Sequence, residues 1–323
     1  MITRGVPGIS TLGKITETAK GSGAILAISA NTILLCLMLY VFLLGRLLAP
    51  TDRIRNAVRR IMARVAETWI SINNAILSLY RRTHWDIELP DGLDRGGTYL
   101  VSSNHRSWVD ILVLQRCFNR RLPLLRFFIK KELIRVPFLG LAWWALDFPF
   151  MRRDSKEALA RNPSLQGRDL ENARKACEKL RGIPVSMMNF PEGTRFTPAK
   201  RARWKSPYEN LLIPRIGGIG QVLYALDQQL DALIDVTIVY PQAAREGRGP
   251  TFWDLLTGKV SAIVARARRL EIPQHLKGRN FRTDPNFRRD LEDWVDRLWR
   301  EKDALIGQLL NGPAAGHVAS AAI

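Results

Sequence analysis

Residues 21–45 carry no charged side chain, and within them Ala24–Leu44 is almost wholly apolar. At about 1.5 Å per residue, a helix of that length reaches about 30 Å, the thickness of a bilayer's hydrocarbon core. A buried core helix is the alternative. A cleaved leader fits less well, because the run is long and starts late. It is followed by Gly45-Arg46 and Leu47-Leu48-Ala49-Pro50, without a small-x-small site. The expectation is an N-terminal transmembrane or membrane-embedded helix over about 24–44.

Flanking charge gives the orientation. Arg4, Lys14 and Lys20 precede the run, with Glu17; Arg46, Arg53, Arg55, Arg59, Arg60 and Arg64 follow it. The heavier basic side is C-terminal, so the rest of the chain is expected on the cytoplasmic face. A hairpin dipping into one leaflet puts the domain on the same side. Residues 53–80 place Ile54, Val58, Ile61, Val65, Trp69, Ile72, Ile76 and Leu79 on one broad face. This is an amphipathic helix that either lies on the membrane or packs on the domain. Residues 1–82 thus read as an anchor.

From about residue 83 to 310 the pattern is that of one α/β domain. Short apolar runs predict strands at 98–103, 126–130, 148–151, 183–190, 233–240 and 260–268. Helical spacing predicts helices at 107–118, 169–181 with Gly182 as stop, and 217–230. The alternation implies a mostly parallel sheet covered by helices. Residues 154–168 read as a loop. Asp284-Pro285 opens a last amphipathic helix, with a cap followed by proline at the first helical position. Residues 311–323 are rich in Gly, Ala and Pro and read as a disordered tail.

The net charge of +19, from 49 Lys and Arg against 30 Asp and Glu, points to an anionic partner. The basic residues are spread along the chain and the aromatics match no RNA-binding motif, which favours an anionic membrane over nucleic acid. Cys36, Cys117 and Cys177 are far apart and odd in number, neither a disulfide framework nor a metal cluster. Cys177 falls at helical spacing with Leu170, Ala173 and Leu180 and reads as core. The four histidines show no zinc-type spacing, so no metal is expected.

Asn104-His105-Arg106 follows a predicted strand directly, and Ser107 stands at a helix entrance with Asp110 three residues on. A helix start folding back on this loop lets carboxylate and imidazole meet. Histidine is the natural general base near neutral pH, and a carboxylate on its other ring nitrogen fixes the tautomer. Ser107-x-x-Asp110 is equally a capping-box pattern, in which Asp110 satisfies backbone N–H groups.

"NHRSWVD" at 104–110 resembles the first motif of the glycerolipid acyltransferase family, and three further blocks follow in the family's order. "NFPEGTRFT" at 189–197 is similar to its Phe-Pro-Glu-Gly-Thr-Arg motif. "DFPFMRR" at 147–153 stands where Gly-x-x-Phe-Ile-x-Arg is expected, with Asp147 at the glycine position and Met151 for isoleucine. "LLIPR" at 211–215 stands where the proline-bearing fourth motif belongs. The resemblance covers roughly 85–245. It looks most like the branch of lysocardiolipin and 1-acylglycerol-phosphate acyltransferases, including bacterial inner-membrane members.

That resemblance implies an O-acyltransferase with His105 and Asp110 as the catalytic pair. It also implies an acceptor phosphate held by Arg153, Glu192, Gly193, Thr194, Arg195 and Pro214, Arg152 competing for the role of Arg153. The implied partners are a lysophospholipid acceptor, most simply 1-acylglycerol-3-phosphate, and acyl-CoA or acyl carrier protein as thioester co-substrate. No cofactor is expected. The implied location is a bacterial inner membrane, with the catalytic domain on its cytoplasmic side. Pro191 and Gly193 imply a tight turn, Thr194 offers a hydroxyl and Arg195 a planar fork for phosphate oxygens. Glu192 beside a phosphate is expected to orient Arg195 or the glycerol. The basic residues Lys200, Arg201, Arg203 and Lys205, interleaved with Phe196 and Trp204, suit either an anionic membrane interface or a solvated loop. Phe138, Leu139, Leu141, Trp143, Trp144 and Leu146 are either a wall for an acyl chain or ordinary core. No Gly-x-Ser-x-Gly elbow is present, so direct transfer is expected in place of an acyl-enzyme. The competing reading is a non-catalytic adaptor binding anionic lipid; acylation of another lysolipid or of an amine lipid shares the fold.

Overall fold

The computed structural model describes residues 11–79, 83–151, 168–245 and 247–311. Two long helices, α1 (Thr11–Leu48) and α2 (Asp52–Leu79), precede β1 (His84–Glu88), β2 (Thr98–Ser103), α3 (Val109–Phe118), β3 (Leu125–Arg126), β4 (Ile129–Lys130), α4 (Leu139–Ala145) and β5 (Phe150–Met151). Then come α5 (Arg168–Cys177), β6 (Val185–Asn189), α6 (Pro198–Arg203), α7 (Ile216–Leu226), β7 (Ala232–Val239), α8 (Pro241–Arg245), α9 (Phe252–Leu256), β8 (Ala262–Leu270) and α10 (Pro285–Asn311).

The main sheet runs β1-β8-β7-β2-β6-β3. All its neighbours are parallel except β7 and β8. The mostly parallel sheet is therefore the observed one, with an antiparallel step that reverses β8 and β1. Both faces are covered, as the near-continuous apolar strands require. Leu100, Val185 and Met187 pack on one side with α5, α7 and α10. Tyr99, Val101, Met188 and Ile234 pack on the other with α3 and α9. Cys177 lies in the first of these cores, as its spacing implies.

Several boundaries differ from the sequence reading. The strand expected at 126–130 is split into β3 and β4, which belong to different sheets. β5, expected at 148–151, pairs with β4 in a separate two-stranded sheet. β1 is missed because its five residues are mostly half-exposed and mix charge with apolar side chains. The helices expected to 181 and 230 end as α5 and α7 at Cys177 and Leu226, each passing into a tighter 3₁₀ turn. Asp284 caps α10 as expected, its Oδ1 accepting from the N–H of Phe287 at 2.9 Å. Residues 154–167 of the expected loop and the tail 312–323 lie outside the described residues.

α1 is longer than its apolar run, because no proline falls between Thr11 and Ala24 to interrupt the helix. By length and composition its apolar part is long and apolar enough to cross a membrane. Its contacts are informative. Near one end, a methyl group on Gly21 would lie 2.8 Å from Trp253 of α9. At the other, Arg46 forks onto Asp147 beyond α4 at 3.0 and 3.2 Å. Between them Asn31 donates to Asn73 of α2 at 2.8 Å, and Leu35, Leu39 and Leu43 pack against Met62, Ala66 and Ile70. α1 is thus laid along the domain. Its outer face is an exposed apolar stripe of Leu26, Ile33, Leu37, Val41, Leu44 and Leu48. α2 packs on α1 and the domain, with Arg53, Arg60 and Arg64 turned to solvent.

Candidate active site

Three loops meet at one edge of the sheet. β6 and β7 flank β2 as parallel neighbours, so the chain leaves all three strands in the same direction. His105 lies just beyond β2, Glu192 just beyond β6 and Tyr240 just beyond β7. Loops outside the carboxyl ends of parallel strands are where α/β folds build ligand sites. The β2 exit is fixed by Asn104, fully buried. Its amide donates to the carbonyl of Ile238 and accepts from the Ile238 N–H, both at 2.8 Å.

His105 Nδ1 lies 2.8 Å from Oδ2 of Asp110. The same oxygen accepts the backbone N–H groups of Arg106 and Ser107 at 2.6 and 2.9 Å. Oδ1 accepts the Tyr240 hydroxyl at 2.6 Å. The carboxylate is fully buried, and its two oxygens meet four hydrogen-bonding partners. The two readings of Asp110 therefore coexist: it satisfies backbone N–H groups at the start of α3 and it holds the imidazole. An N–H at Nδ1 facing this carboxylate leaves Nε2 with a free lone pair. Phe190 stacks on the ring at 4.0 Å between centroids, which fixes its plane. The His105 side chain keeps 14% of its surface exposed, so the site is reachable from outside.

Glu192 departs from expectation. It is completely buried and does not reach Arg195. Oε1 accepts the N–H of His105 at 2.7 Å, and Oε2 accepts that of Leu212 at 2.9 Å. Arg215 N–H donates to the Pro191 carbonyl at 2.8 Å, and Phe196 N–H to that of His105 at 2.7 Å. One carboxylate thus stitches the first, third and fourth sequence blocks together through main-chain groups. Burial pushes its pKa up to about 7, against the opposing pull of those two N–H donors and of Arg106.

The basic residues gather beside this frame. Gly193 turns with φ of +66°, and a Cβ there would lie 3.3 Å from the Arg215 side chain. Arg195 is exposed, its guanidinium 5.4 Å from the centre of the Trp108 ring. Lys200, read in sequence as part of a basic run suited to a membrane interface or a solvated loop, folds back on the turn: its ammonium donates to the Thr194 hydroxyl at 2.8 Å and to the Arg195 carbonyl at 2.9 Å. Pro214 is half-buried in the segment that Leu212 and Arg215 fasten to the Pro191–Glu192 turn. Arg152 and Arg153 lie outside the described residues. Of the candidate acyl-chain wall, Leu146 is core, while Phe138 and Leu141 are exposed next to α1.

Among the described residues no group of three or more His, Cys, Asp or Glu side chains is placed to hold a metal ion. Burial pushes the thiols of Cys117 and Cys177 up to about 12, which leaves them unreactive near neutral pH. Tyr240 and Lys200 are the site residues that sequence reasoning missed. Tyr240 is the last residue of the strand expected at 233–240, and nothing local marks its hydroxyl as a partner for Asp110. Lys200 stood in a run of like charges, with only its six-residue distance from Thr194 as a signal.

Residues 84–239 match the family model described as Acyltransferase. Lysocardiolipin acyltransferase 1 from Gallus gallus is 26% identical over 287 residues, covering 84% of this chain and 69% of that protein. A probable 1-acyl-sn-glycerol-3-phosphate acyltransferase 5 from Arabidopsis thaliana is 28% identical, covering 64% of this chain and 52% of the relative. A crystal structure of the 1-acyl-sn-glycerophosphate acyltransferase PlsC from Thermotoga maritima aligns at 16% identity with a TM-score of 0.43, over 86% of this chain and 97% of that one.

Proposed function

We propose that this chain, whose residues 84–239 match the Acyltransferase model, is a glycerolipid acyltransferase that moves a fatty acyl group from a thioester to the free hydroxyl of a lysophospholipid. The observation that carries the reading is the 2.8 Å contact between His105 Nδ1 and a fully buried Asp110, with Nε2 left to act as base. Nε2 takes the hydroxyl proton as the oxygen attacks the thioester carbonyl. The carbon–oxygen bond forms, the tetrahedral intermediate collapses, the carbon–sulfur bond breaks, and the imidazolium returns its proton to the leaving thiolate. Asp110 holds the ring in place and stabilises the imidazolium. Arg195, Thr194 and Lys200, with Arg215 behind Gly193, supply cations and a hydroxyl for the acceptor's phosphate.

The acceptor we favour is 1-acylglycerol-3-phosphate, giving phosphatidic acid. Lysophosphatidylglycerol and lysocardiolipin carry the same phosphate and hydroxyl chemistry. The donor is a thioester of coenzyme A or of acyl carrier protein. The enzyme works at an inner-membrane surface on the cytoplasmic side, with the outer apolar stripe of α1 sunk in one leaflet and the arginines of α2 near the headgroups.

One assay matrix tests this: full-length protein in detergent, several lysolipids, both donor types, and His105→Ala beside the wild type. Loss of the base should cost about a thousandfold in rate. Transfer retained by His105→Ala would overturn the mechanism. No transfer by the wild type to any lysolipid would favour a non-catalytic lipid-binding role.

A further inference from the structure

A cavity of about 510 Å³ lies between the C-terminal end of α1, the start of α2 and the segment that follows α4. Four cations line it, Arg46, Arg55, Arg59 and Lys179, against two carboxylates, Asp52 and Asp147. Asp52 is exposed and pairs with Arg55 at 2.8 Å across solvent. Asp147 is buried, and both of its oxygens are taken. Arg46 forks onto them, and Arg59 Nε approaches Oδ2 to 3.0 Å. That Nε is itself buried without a properly aligned acceptor. Behind Asp147 the buried Arg126 donates to the Leu146 carbonyl at 2.8 Å. Burial pushes it down to about 10, so it remains charged at neutral pH. Three guanidiniums therefore surround one buried carboxylate, and Lys179 adds to the excess, while Arg55 is offset by Asp52. Unbalanced charge of this kind is costly unless a further anion offsets it.

The backbone gives a second indication. Asp147 has φ of +58°, a left-handed conformation that is strained for a residue with a Cβ. It stands at the position where the second sequence motif expects glycine. The strain is accepted with a side chain whose role here is to gather Arg46 and Arg59.

The apolar surroundings identify the ligand class. Leu43 and Leu47 line the same cavity, and Leu44, Leu47 and Leu48 beside it are 59%, 64% and 74% exposed. They continue the outer stripe of α1. Trp144 forms another wall, with the Lys179 ammonium 5.6 Å from the ring centre. A basic hole the size of a headgroup thus opens beside an apolar strip, so a phosphate can enter while acyl chains lie outside. Asp147 comes from the 147–153 block, but no lining residue belongs to the group around His105, Glu192 and Arg215.

We propose that this cavity holds the phosphate of an anionic membrane phospholipid, at a site separate from the acceptor's. The proposal rests on the reading that α1 lies in a membrane surface, and its test does not depend on acyl transfer. Full-length protein in a non-ionic detergent is titrated with phosphatidylglycerol or phosphatidylcholine, and retained lipid is counted by native mass spectrometry. The wild type should keep one phosphatidylglycerol in preference to phosphatidylcholine. Arg55→Gln with Lys179→Gln leaves the Asp147 pairs intact and should lower that preference by about 30-fold. Asp147→Gly relieves the positive φ and removes the competing carboxylate, so retention should rise. Equal retention of the two lipids by the wild type, or no change in either variant, would overturn the site. Displacement by inorganic phosphate as readily as by phosphatidylglycerol would make it a free-anion site and overturn the lipid assignment. Acyl transfer measured on the same samples reports separately on the His105 mechanism.

Discussion

Tyr240 donates its hydroxyl to Oδ1 of Asp110 at 2.6 Å, from a strand end 130 residues further along the chain. The contact spans the β2–β7 pair and completes the donor shell of a carboxylate that also holds His105 and two backbone N–H groups. Burial first, and then the neighbouring carboxylate, raise the Tyr240 pKa well above 10, so it stays a donor throughout the working range. Tyr240→Phe keeps the ring and leaves one buried carboxylate oxygen without a partner. The expected loss of stability is about 1–3 kcal/mol, the cost of an unsatisfied buried group. The expected kinetic signature is a fall in kcat with KM for the lysolipid unchanged, because Tyr240 reaches the reaction only through Asp110 and His105. Thermal unfolding and steady-state acyl transfer on the same preparation check both; an unchanged kcat would show that three donors suffice.

Glu192 gives a pH dependence with a definite sign. Its folded pKa of about 7 stands above the free-carboxyl value of 4.5, chiefly through burial. The folded state then binds more protons than the unfolded state across that interval. The contribution is fully present below about pH 4.5 and is lost as pH rises through about 7. The span is worth about 3 kcal/mol. In Glu192→Gln this slope disappears, although overall stability falls because the amide NH₂ faces a backbone N–H it cannot accept from. Unfolding measured in detergent at intervals from acid to neutral pH should give parallel curves only if Glu192 does not titrate there.

Much of this was legible in the sequence, for identifiable reasons. β2 matches its expected bounds because Thr98–Ser103 is buried on both faces, an apolar Tyr99-Leu100-Val101 centre flanked by small hydroxyl residues ahead of the Asn104-His105 turn. His105 and Asp110 were legible as a pair because they are local, five residues apart at a strand-to-helix turn. The role of Glu192 was not. Its partners are backbone amides 87 and 20 residues away, which carry no side-chain signature. The same holds for Asn104, whose amide bonds both main-chain groups of Ile238, 134 residues off. Short strands such as β3 and β5 were blurred because two residues cannot display a period.

Gly193→Ala tests the turn that presents Thr194 and Arg195. At φ of +66° any side chain is strained, and this one would press on Arg215 at 3.3 Å. A stability loss of about 1 kcal/mol is expected from the backbone alone. Displacement of Arg215 should add a rise in KM for a phosphate-bearing acceptor. A variant with lowered stability and unchanged KM would remove Arg215 from the phosphate site.

The last prediction concerns how α1 meets the membrane. From Gly21 to Arg46 the helix covers about 38 Å, more than the bilayer's hydrocarbon core. Yet Gly21 rests on Trp253 and Arg46 on Asp147, both in the catalytic domain. A helix fastened to one domain at both ends keeps both ends on that domain's side of a bilayer. The exposed stripe from Leu26 to Leu48 then enters one leaflet sideways, and the basic flank that sequence reading used for orientation faces the same headgroups as the N-terminal end. The three native cysteines are buried, so single exposed cysteines can be read against a quiet background. Thr18→Cys and Arg53→Cys should react with a membrane-impermeant maleimide from the same side of sealed vesicles, whichever way those vesicles are oriented. Labelling of the two positions from opposite sides would mean that α1 leaves the domain and spans, breaking the Gly21–Trp253 or the Arg46–Asp147 contact.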